Sequence, residues 1–233
     1  MEAVSLNLFL DTNVIVGYSI ECDPWNYYSK RLFDKFDSFY WSSTVEEETN
    51  CVIDKLLYFY SVFFDKVKDR LNQFEFNKSE FFKIFESVTH VDGKKIPFKQ
   101  RDLASLVWED GGWYSKVSSS TICDTLDVIL DNLNNDAFIN LEDCTSRLNH
   151  HIRVNKYHDL LNNLRSLEVK DGNNSIHSPD DYIVLDAHDL AKNDNLFLMF
   201  VTADLKLLAF SEDILKLTNI EDMVFLEKAY FIS

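Results

Sequence analysis

The chain has 233 residues, of which 46% are apolar and 14% aromatic, so it can bury a sizeable core and is not disordered. This length fits one large domain, or one domain with a substantial insertion. The formal net charge of −16 is unusual for a nucleic-acid binder, whose affinity comes largely from neutralising phosphates. Either nucleic acid is not the ligand, or local charge matters more than net charge.

The sequence predicts a cytoplasmic protein without a membrane-spanning helix. The most apolar segments, residues 56–64 and 196–201, are well short of the roughly 20 residues that a bilayer requires. The first residues have no basic region followed by an apolar one, so we expect no secretory signal. The four cysteines lack Cys-x-x-Cys spacing, which favours reduced thiols and argues against a disulfide or a structural zinc.

Two apolar runs end abruptly in acidic residues. Residues 6–10 are followed by Asp11, and residues 196–201 are followed by Thr202 and Asp204. This pattern is typical of buried parallel strands that deliver the next residue to the carboxyl edge of a sheet. Open α/β sheets carry out their chemistry at that edge. We therefore expect Asp11 and Asp204 to lie at the same edge.

The residues after the first strand complete a β-α-β unit, which implies a parallel pair of strands. The predicted elements are a helix over residues 25–37, a strand over residues 39–41, and a helix from residue 44 toward residue 71. The segment 42–44 is a good amino-terminal cap, and Thr44 with Glu47 has capping-box spacing. Glu48 then lies in the first turns of this helix, close to the edge of the sheet.

Residues 78–169 have a mostly helical pattern. The predicted helices cover residues 79–89, 121–133 and 157–167, with turns at residues 92–93 and 110–112. We interpret residues 73–171 as a helical insertion into a core formed by residues 1–72 and 172–233. Its role is open: covering the active-site edge, forming a homodimer and binding RNA are the alternatives.

One relatively basic stretch runs from residue 147 to residue 170. Its candidates for steering RNA are Arg147, Arg153 and Lys156. The alternative interpretation is that these residues belong to solvated helix faces, as charge runs usually do. His150, His151 and His158 are in the same stretch, but no Cys or carboxylate completes a metal site at ligand spacing.

The α/β pattern resumes after a loop at residues 171–174. Ser178 as N-cap and Pro179 at the first helical position place Asp180 in the first turn of a helix. A strand over residues 196–201, a helix over residues 211–217 and a last strand or two within residues 223–231 follow. A gap-free register counted back from Thr202 selects Asp186 instead of Asp180, and Asp181 is the third alternative.

Four acids therefore occupy equivalent positions, just after strand ends or in the first turns of helices. They are Asp11, Glu48, Asp180 and Asp204. At ~5 Å separation and an effective dielectric near 20, each like-charge pair costs about 3 kcal/mol, so structure alone does not justify the cluster. Oxygen ligands from two or three carboxylates suit Mg²⁺ or Mn²⁺, which activate water and stabilise in-line attack on a phosphodiester.

These residues resemble the PIN-domain ribonucleases, a family that includes toxin-like and RNA-processing members. The resemblance is carried by Leu10-Asp11-Thr12-Asn13, Ser42-Ser43 followed by Glu48, Asp180-x-x-Ile183-x-x-x-Ala187, and Val201-Thr202-x-Asp204. It implies a three-layer α/β/α fold with a central, mainly parallel sheet and a metal-dependent nuclease acting on RNA. It also implies that Asp11, Glu48, Asp180 and Asp204 form the active site, supported by Asn13 and Thr202.

The resemblance covers about half of the chain. About 130 residues separate Glu48 from Asp180, far more than in compact members of this fold, and the helices between them lie outside the pattern. The sequence hypothesis is an endoribonuclease in which Asp11, Asp180 and Asp204 hold Mg²⁺ or Mn²⁺. Glu48 would bind a second metal or orient the attacking water.

Two other functions fit the same acids. A phosphatase with an aspartyl nucleophile also begins with a strand ending in Asp, but this chemistry needs a second Asp where the chain has Asn13. A non-catalytic module is the other alternative. Its acids would be degenerate, or would bind a basic regulatory protein such as an antitoxin-like partner.

Overall fold

The computed structural model describes residues 6–167 and 175–232. The strands are β1 (Asn7–Leu10), β2 (Phe39–Ser42), β3 (Glu75–Phe76), β4 (His90–Val91), β5 (Lys94–Lys95), β6 (Val117–Ser118), β7 (Leu148–His151), β8 (Leu198–Thr202) and β9 (Asp222–Phe225). The helices are α1 (Thr12–Ser19), α2 (Asn26–Lys35), α3 (Ser43–Lys68), α4 (Lys78–Ser87), α5 (Gln100–Asp110), α6 (Ser119–Ser146), α7 (His158–Arg165), α8 (Asp180–Asn193), α9 (Leu205–Leu208), α10 (Ser211–Leu217) and α11 (Leu226–Ala229). The loop predicted at residues 171–174 and the end of the basic stretch lie outside the described residues.

The described residues form two compact units. The first lies within Met1–Ser19, Trp25–Val52 and Asn140–Ser233, and the second comprises Ile20–Pro24 and Ile53–Ile139. Helices α3 and α6 each contribute residues to both units. No helix among the described residues has the length and apolar character needed to cross a bilayer.

The first unit is built on a five-stranded sheet in the order β7-β2-β1-β8-β9, flanked by helices. Every pairing in this sheet is parallel, with Leu10 opposite Val201 at the centre. Consecutive residues of β1 and β8 are buried, as expected of central strands covered on both faces. Because all five strands run in one direction, their carboxyl ends meet at one edge of the sheet.

The flanking helices of the first unit form two packed groups. Helix α2 contacts both α1 and α11, and helix α7 contacts both α8 and α10. Phe9 and Phe200 stack within the sheet, with their ring centroids 5.7 Å apart. The prediction of an α/β fold with a central parallel sheet is confirmed.

The second unit has a core rich in aromatic side chains. Phe63, Phe64, Phe81 and Phe85 are fully buried, so the carboxyl half of the aromatic stretch in α3 belongs to this core. Strands β3 and β6 pair antiparallel, and β4 and β5 form a short hairpin. The hairpin turns at Asp92 and Gly93, whose φ angles of 49° and 75° explain the turn predicted there.

The boundaries of the units differ from the predicted insertion at residues 73–171. Residues 140–167 belong to the first unit. The segment that begins at Arg147, where the pattern was mostly helical, forms strand β7 as well as helix α7. The helix predicted at residues 121–133 is longer, since α6 starts at Ser119 and ends at Ser146. Helix α1 was not predicted. The last strand ends at Phe225, and helix α11 follows it.

The cap predicted within residues 42–44 is confirmed at Ser42, whereas two finer predictions about helix caps were wrong. The Ser42 hydroxyl accepts the Val45 N–H at 3.4 Å, so the cap of α3 precedes Thr44 by two residues and the Thr44–Glu47 capping box does not form. Pro179, not Ser178, occupies the N-cap position of α8. Asp180 nevertheless lies in the first turn of α8, as predicted.

Gly17 allows α1 and α2 to pack closely. A Cβ at this position would lie 2.8 Å from the Ser29 hydroxyl oxygen and 2.9 Å from the Cβ of Trp25. We expect Gly17→Ala to lower the free energy of unfolding by about 1–3 kcal/mol through overpacking, measured by urea denaturation. The Ser29 hydroxyl is buried without a hydrogen-bond partner, so adding Ser29→Ala should restore part of the loss. An unchanged stability of Gly17→Ala would contradict this packing.

Candidate active site

Asp11 lies at the carboxyl end of β1 with only 3% of its surface exposed. Its two carboxylate oxygens are held in separate ways. Oδ1 accepts the Thr12 N–H at 2.8 Å, while Oδ2 accepts the Thr202 hydroxyl at 2.6 Å and the Asn13 amide at 2.9 Å. A buried carboxylate with this many donors has a fixed orientation.

Asn13 and Thr202 connect the ends of β1 and β8 around this carboxylate. The Asn13 side-chain oxygen accepts the Ala203 N–H at 2.7 Å, and its amide lies 3.5 Å from the Thr202 hydroxyl oxygen. The Thr202 oxygen also accepts the Asp204 N–H at 2.9 Å. The two residues predicted as the supporting shell therefore contact Asp11 and set the backbone next to Asp204.

Glu48 is brought to the same edge by the first turns of α3. Its Oε2 accepts the Thr12 hydroxyl at 2.5 Å. The two preceding acids are placed differently, since Glu46 lies 3.2 Å from the His150 ring and Glu47 is exposed. Of this acidic triplet, Glu48 is the residue that joins the site.

Asp204 follows β8 and caps the short helix α9. One of its oxygens accepts the Lys206 N–H at 2.7 Å and the Leu207 N–H at 3.4 Å. The charge of Asp204 also raises the pKa of both Asp11 and Asp180, so this carboxylate lies near the other two acids while it caps the helix.

The structure separates Asp180 from its two alternatives. Asp181 is buried and accepts the Arg165 guanidinium at 2.6 Å, and Asp186 lies 3.1 Å from the Arg153 guanidinium. Among the described residues, Asp180 forms no such ion pair. Its charge is influenced instead by Asp11, Glu48 and Asp204, so Asp180 is the member of this helix that lies with the other three acids.

Burial and mutual repulsion raise the pKa values of two of these acids. The pKa of Asp11 rises to about 6, chiefly because it is buried, although the hydrogen bonds from Thr202 and Thr12 oppose this shift. The pKa of Asp180 rises to about 7, again chiefly through burial, and the charges of Asp11, Glu48 and Asp204 add to it. Such shifts cluster at functional sites.

A cavity of about 250 Å³ adjoins two of the acids. Asp180 and Asp204 line it together with Lys206 and with His177, whose Nε2 lies 2.7 Å from the Ser175 hydroxyl oxygen. Lys206 and His177 were not among the predicted site residues. Their signal in the sequence is only proximity, since each lies within three residues of a predicted acid.

The donor set at this edge consists of carboxylate oxygens, which suit a hard divalent cation. Within the described ranges, however, no group of three or more His, Cys, Asp or Glu side chains is arranged so that it could hold a metal ion. Mg²⁺ keeps several waters and is commonly bound through one or two carboxylates plus substrate phosphates. The residues therefore fit a cation that is completed by water and phosphate, and they do not form an all-protein cage.

Two of the three residues predicted to steer RNA have structural partners. Arg153 pairs with Asp186 and donates to the Tyr182 carbonyl at 3.3 Å. Arg147 donates to the Phe33 carbonyl, and its guanidinium lies 5.0 Å from the Phe33 ring centroid. These contacts engage the two arginines within the first unit, whereas Lys156 is exposed. A role of the three residues in steering RNA stays a prediction.

A buried acid that the sequence analysis missed lies elsewhere in the first unit. Asp189 accepts hydrogen bonds from the Val154 N–H and the Asn155 amide, both at 2.9 Å, and lies 3.1 Å from the His151 ring nitrogen. His151 is the last residue of β7, and Val154 and Asn155 follow the strand, so Asp189 connects the end of β7 to α8. Despite burial, these donors lower the pKa of Asp189 to about 2.

Asp189→Asn should lower the free energy of unfolding by about 3 kcal/mol at pH 7, because the buried partners lose their anion. The pKa of Asp189 is depressed in the folded state, so its contribution is present above about pH 4 and is lost as the pH falls toward 2. Urea denaturation at pH 7 and pH 3 tests this. The exposed Asp194→Asn is the matched control, and equal effects of the two substitutions at pH 7 would refute the role of Asp189.

Comparison with known protein families, curated proteins and solved structures finds no match for this chain.

Proposed function

We propose that this chain is a Mg²⁺- or Mn²⁺-dependent ribonuclease with a PIN-like α/β/α core. One observation carries the proposal: four acids from separate elements meet at the carboxyl edge of a parallel sheet, and within the described residues no cation pairs with any of them. By contrast, three other acids of α8 each have a partner. They are Asp181, Asp186 and Asp189.

Asp11, Asp180 and Asp204 would hold the cation, partly through its bound waters, since the described side chains do not form a preformed group of three direct ligands. When bound, it supplies a Lewis acid that activates water and offsets the charge developing on the phosphate. It would also relieve the repulsion that raises the pKa values of Asp11 and Asp180, which gives binding a favourable contribution from groups already in place.

The residues of the chain would orient the reactants. Thr12 fixes the Glu48 carboxylate through the 2.5 Å hydrogen bond, so its free oxygen can accept a hydrogen bond from the attacking water. That water would form a new bond to phosphorus while the bond to the 3′ oxygen breaks. The products would be a 3′-hydroxyl and a 5′-phosphate, with the water proton passing to the leaving oxygen or to solvent.

Lys206 would bind the phosphate backbone next to the reacting group. It lines the cavity beside Asp180 and Asp204, and its ammonium is a suitable point charge for phosphate.

The presence of Asn13 favours this hydrolytic reaction over the aspartyl-phosphatase alternative. Its amide contacts Asp11 and Ala203, and an amide cannot act as the general acid that the phosphatase needs.

The reducing environment of the cytoplasm suits this chain, because Cys22, Cys51, Cys123 and Cys144 are all free thiols.

The second candidate is a non-catalytic module that binds RNA or a basic regulatory protein. The finding that favours it is the lack, among the described residues, of a preformed group of three metal-binding side chains.

Cleavage of a labelled single-stranded RNA tests the proposal. Wild-type protein should cleave with Mg²⁺ or Mn²⁺, not with EDTA, and should leave 3′-hydroxyl ends. Glu48→Gln should slow cleavage at least 100-fold, whereas Glu46→Gln, two residues away on the same helix, should cleave like the wild type. Metal-independent cleavage, or equal rates for the two variants, would contradict the proposal and favour the non-catalytic alternative.

A further inference from the structure

The second unit carries two adjoining grooves that share Lys78 and Ser79. They have volumes of about 440 and 640 Å³. Together they present a basic-aromatic surface, which we define by seven residues: Lys78, Phe82, Lys83, Arg101, Trp113, Tyr114 and Lys116. None of these residues belongs to the active site described above.

The aromatic side chains of the basic-aromatic surface lie next to cations. The Lys78 ammonium is 5.6 Å and the Arg101 guanidinium 6.0 Å from the centroid of the Phe82 ring. Tyr114 is fully exposed, although a large aromatic side chain would normally bury some of its surface. Trp113 is half-buried, and its ring lies edge-on against Trp108, which holds it in place.

The charge of this surface is opposite to that of the chain. Four cations line the two grooves, and Glu86 is the acid among the lining residues that the structure describes. Arg101 lies 3.5 Å from Glu86, so the other three cations remain available. In a chain with a net charge of −16, this local excess of positive charge answers the objection that the protein is too acidic to attract a polyanion.

We propose that the basic-aromatic surface binds single-stranded RNA, an inference that rests on the proposed ribonuclease function. Phosphates would contact Lys78, Lys83 and Lys116, and unpaired bases would stack on Tyr114 and Phe82. Aromatic side chains interleaved with cations along a groove are the usual means of holding single strands, because every base offers a face for stacking. A duplex hides those faces, so the surface favours single strands.

RNA held by the second unit raises the concentration of RNA available to the active site of the same chain. The helical insertion would then contribute binding energy while the acids of the first unit carry out the reaction. This assigns to the insertion one of the three roles that the sequence left open.

Fluorescence anisotropy with a labelled 12-nucleotide single-stranded RNA tests the inference. The measurement uses the full-length chain with Asp11→Asn in EDTA, so the result does not depend on cleavage. The charge reversals Lys78→Glu and Lys83→Glu together should weaken binding at least tenfold. The matched control is Lys94→Glu with Lys95→Glu, which makes the same change in net charge on the exposed β4–β5 hairpin of the same unit and should weaken binding less than threefold.

The contributions of base stacking and of phosphate contacts to the affinity should differ in their dependence on salt. Tyr114→Ala should weaken binding at least fivefold, as expected for one stacked base, without changing the salt dependence. The double charge reversal should also flatten the dependence of log K on log salt, by about 0.7 for each phosphate that the protein no longer neutralises. Equal affinities of the double variant and its control, or tighter binding of the matched RNA duplex, would overturn the inference. A wild-type protein that binds RNA here but does not cleave it would refute only the proposed function.

Discussion

Asp11→Asn will reduce metal-dependent RNA cleavage by about 1,000-fold or more and leave the fold intact. The Asp11 carboxylate is the most buried of the four acids and has donors on both oxygens, so it is the ligand with the least freedom to be replaced by a neighbour. A cation supplies several kcal/mol of charge stabilisation in the transition state, and each 1.36 kcal/mol corresponds to a tenfold change in rate.

The substitution is conservative in shape. An amide keeps an acceptor for the Thr12 N–H, and the Thr202 hydroxyl can rotate to accept from the new amide. The Asn13 amide loses its acceptor, and the removal of a buried charge offsets that loss. We therefore expect the single-turnover cleavage rate to fall, while the free energy of unfolding measured by urea denaturation stays close to that of the wild type. Asp213→Asn on the surface helix α10 is the control, and its rate should equal the wild-type rate. A variant at position 11 that retains more than a tenth of the activity would contradict the role assigned to Asp11.

Stability of the metal-free protein should fall as the pH rises from 5 to 8. Asp11 and Asp180 have folded-state pKa values of about 6 and about 7, above the value near 4 expected in the unfolded chain. The folded state therefore binds more protons than the unfolded state in this range, and the stability that depends on those protons is lost as the pH rises through 6 and 7.

Metal should reverse this loss. A cation competes with the protons, so millimolar Mn²⁺ should raise the melting temperature by several degrees at pH 8 and by little at pH 5. Asp180→Asn should raise the stability of the metal-free protein at pH 8 and reduce the effect of Mn²⁺. Thermal unfolding in EDTA and in Mn²⁺ at both pH values provides the measurement. A metal effect that is equal at pH 5 and pH 8 would be inconsistent with binding by these acids.

The parts of the fold that the sequence predicted well have strong local signals. Strands β1 and β8 are central and buried on both faces, so their apolar runs and terminal acids were visible without any knowledge of their neighbours. The same signal located Asp11 and Asp204, and the amino-terminal cap before α3 located Glu48.

The parts that were missed depend on distant contacts. Strand β7 has the sequence Leu-Asn-His-His and lies at the edge of the sheet, where it needs no apolar alternation. Helix α1 contains Val14, Ile15 and Val16, whose β-branched side chains suit strands, and burial overrides this preference.

The choice among the acids of α8 also depended on distant residues. Arg165 and Arg153, which neutralise Asp181 and Asp186, precede these acids by 16 and 33 residues in the chain, so no local pattern could reveal the pairing. Only the folded structure shows that, among the described residues, Asp180 is the acid of α8 without such an ion pair. The same holds for the basic stretch, because two of its arginines, Arg153 and Arg165, form those pairs.

Binding of Mn²⁺ at pH 8, followed by the decrease in the free-ion signal in electron paramagnetic resonance, tests the central claim most directly. We expect saturable binding by the wild type, and affinities reduced at least tenfold in Asp11→Asn, Asp180→Asn and Asp204→Asn. Asp213→Asn should bind like the wild type. Wild-type affinity in the Asp11 or Asp204 variant would show that these acids do not share a metal ion, and would contradict the account.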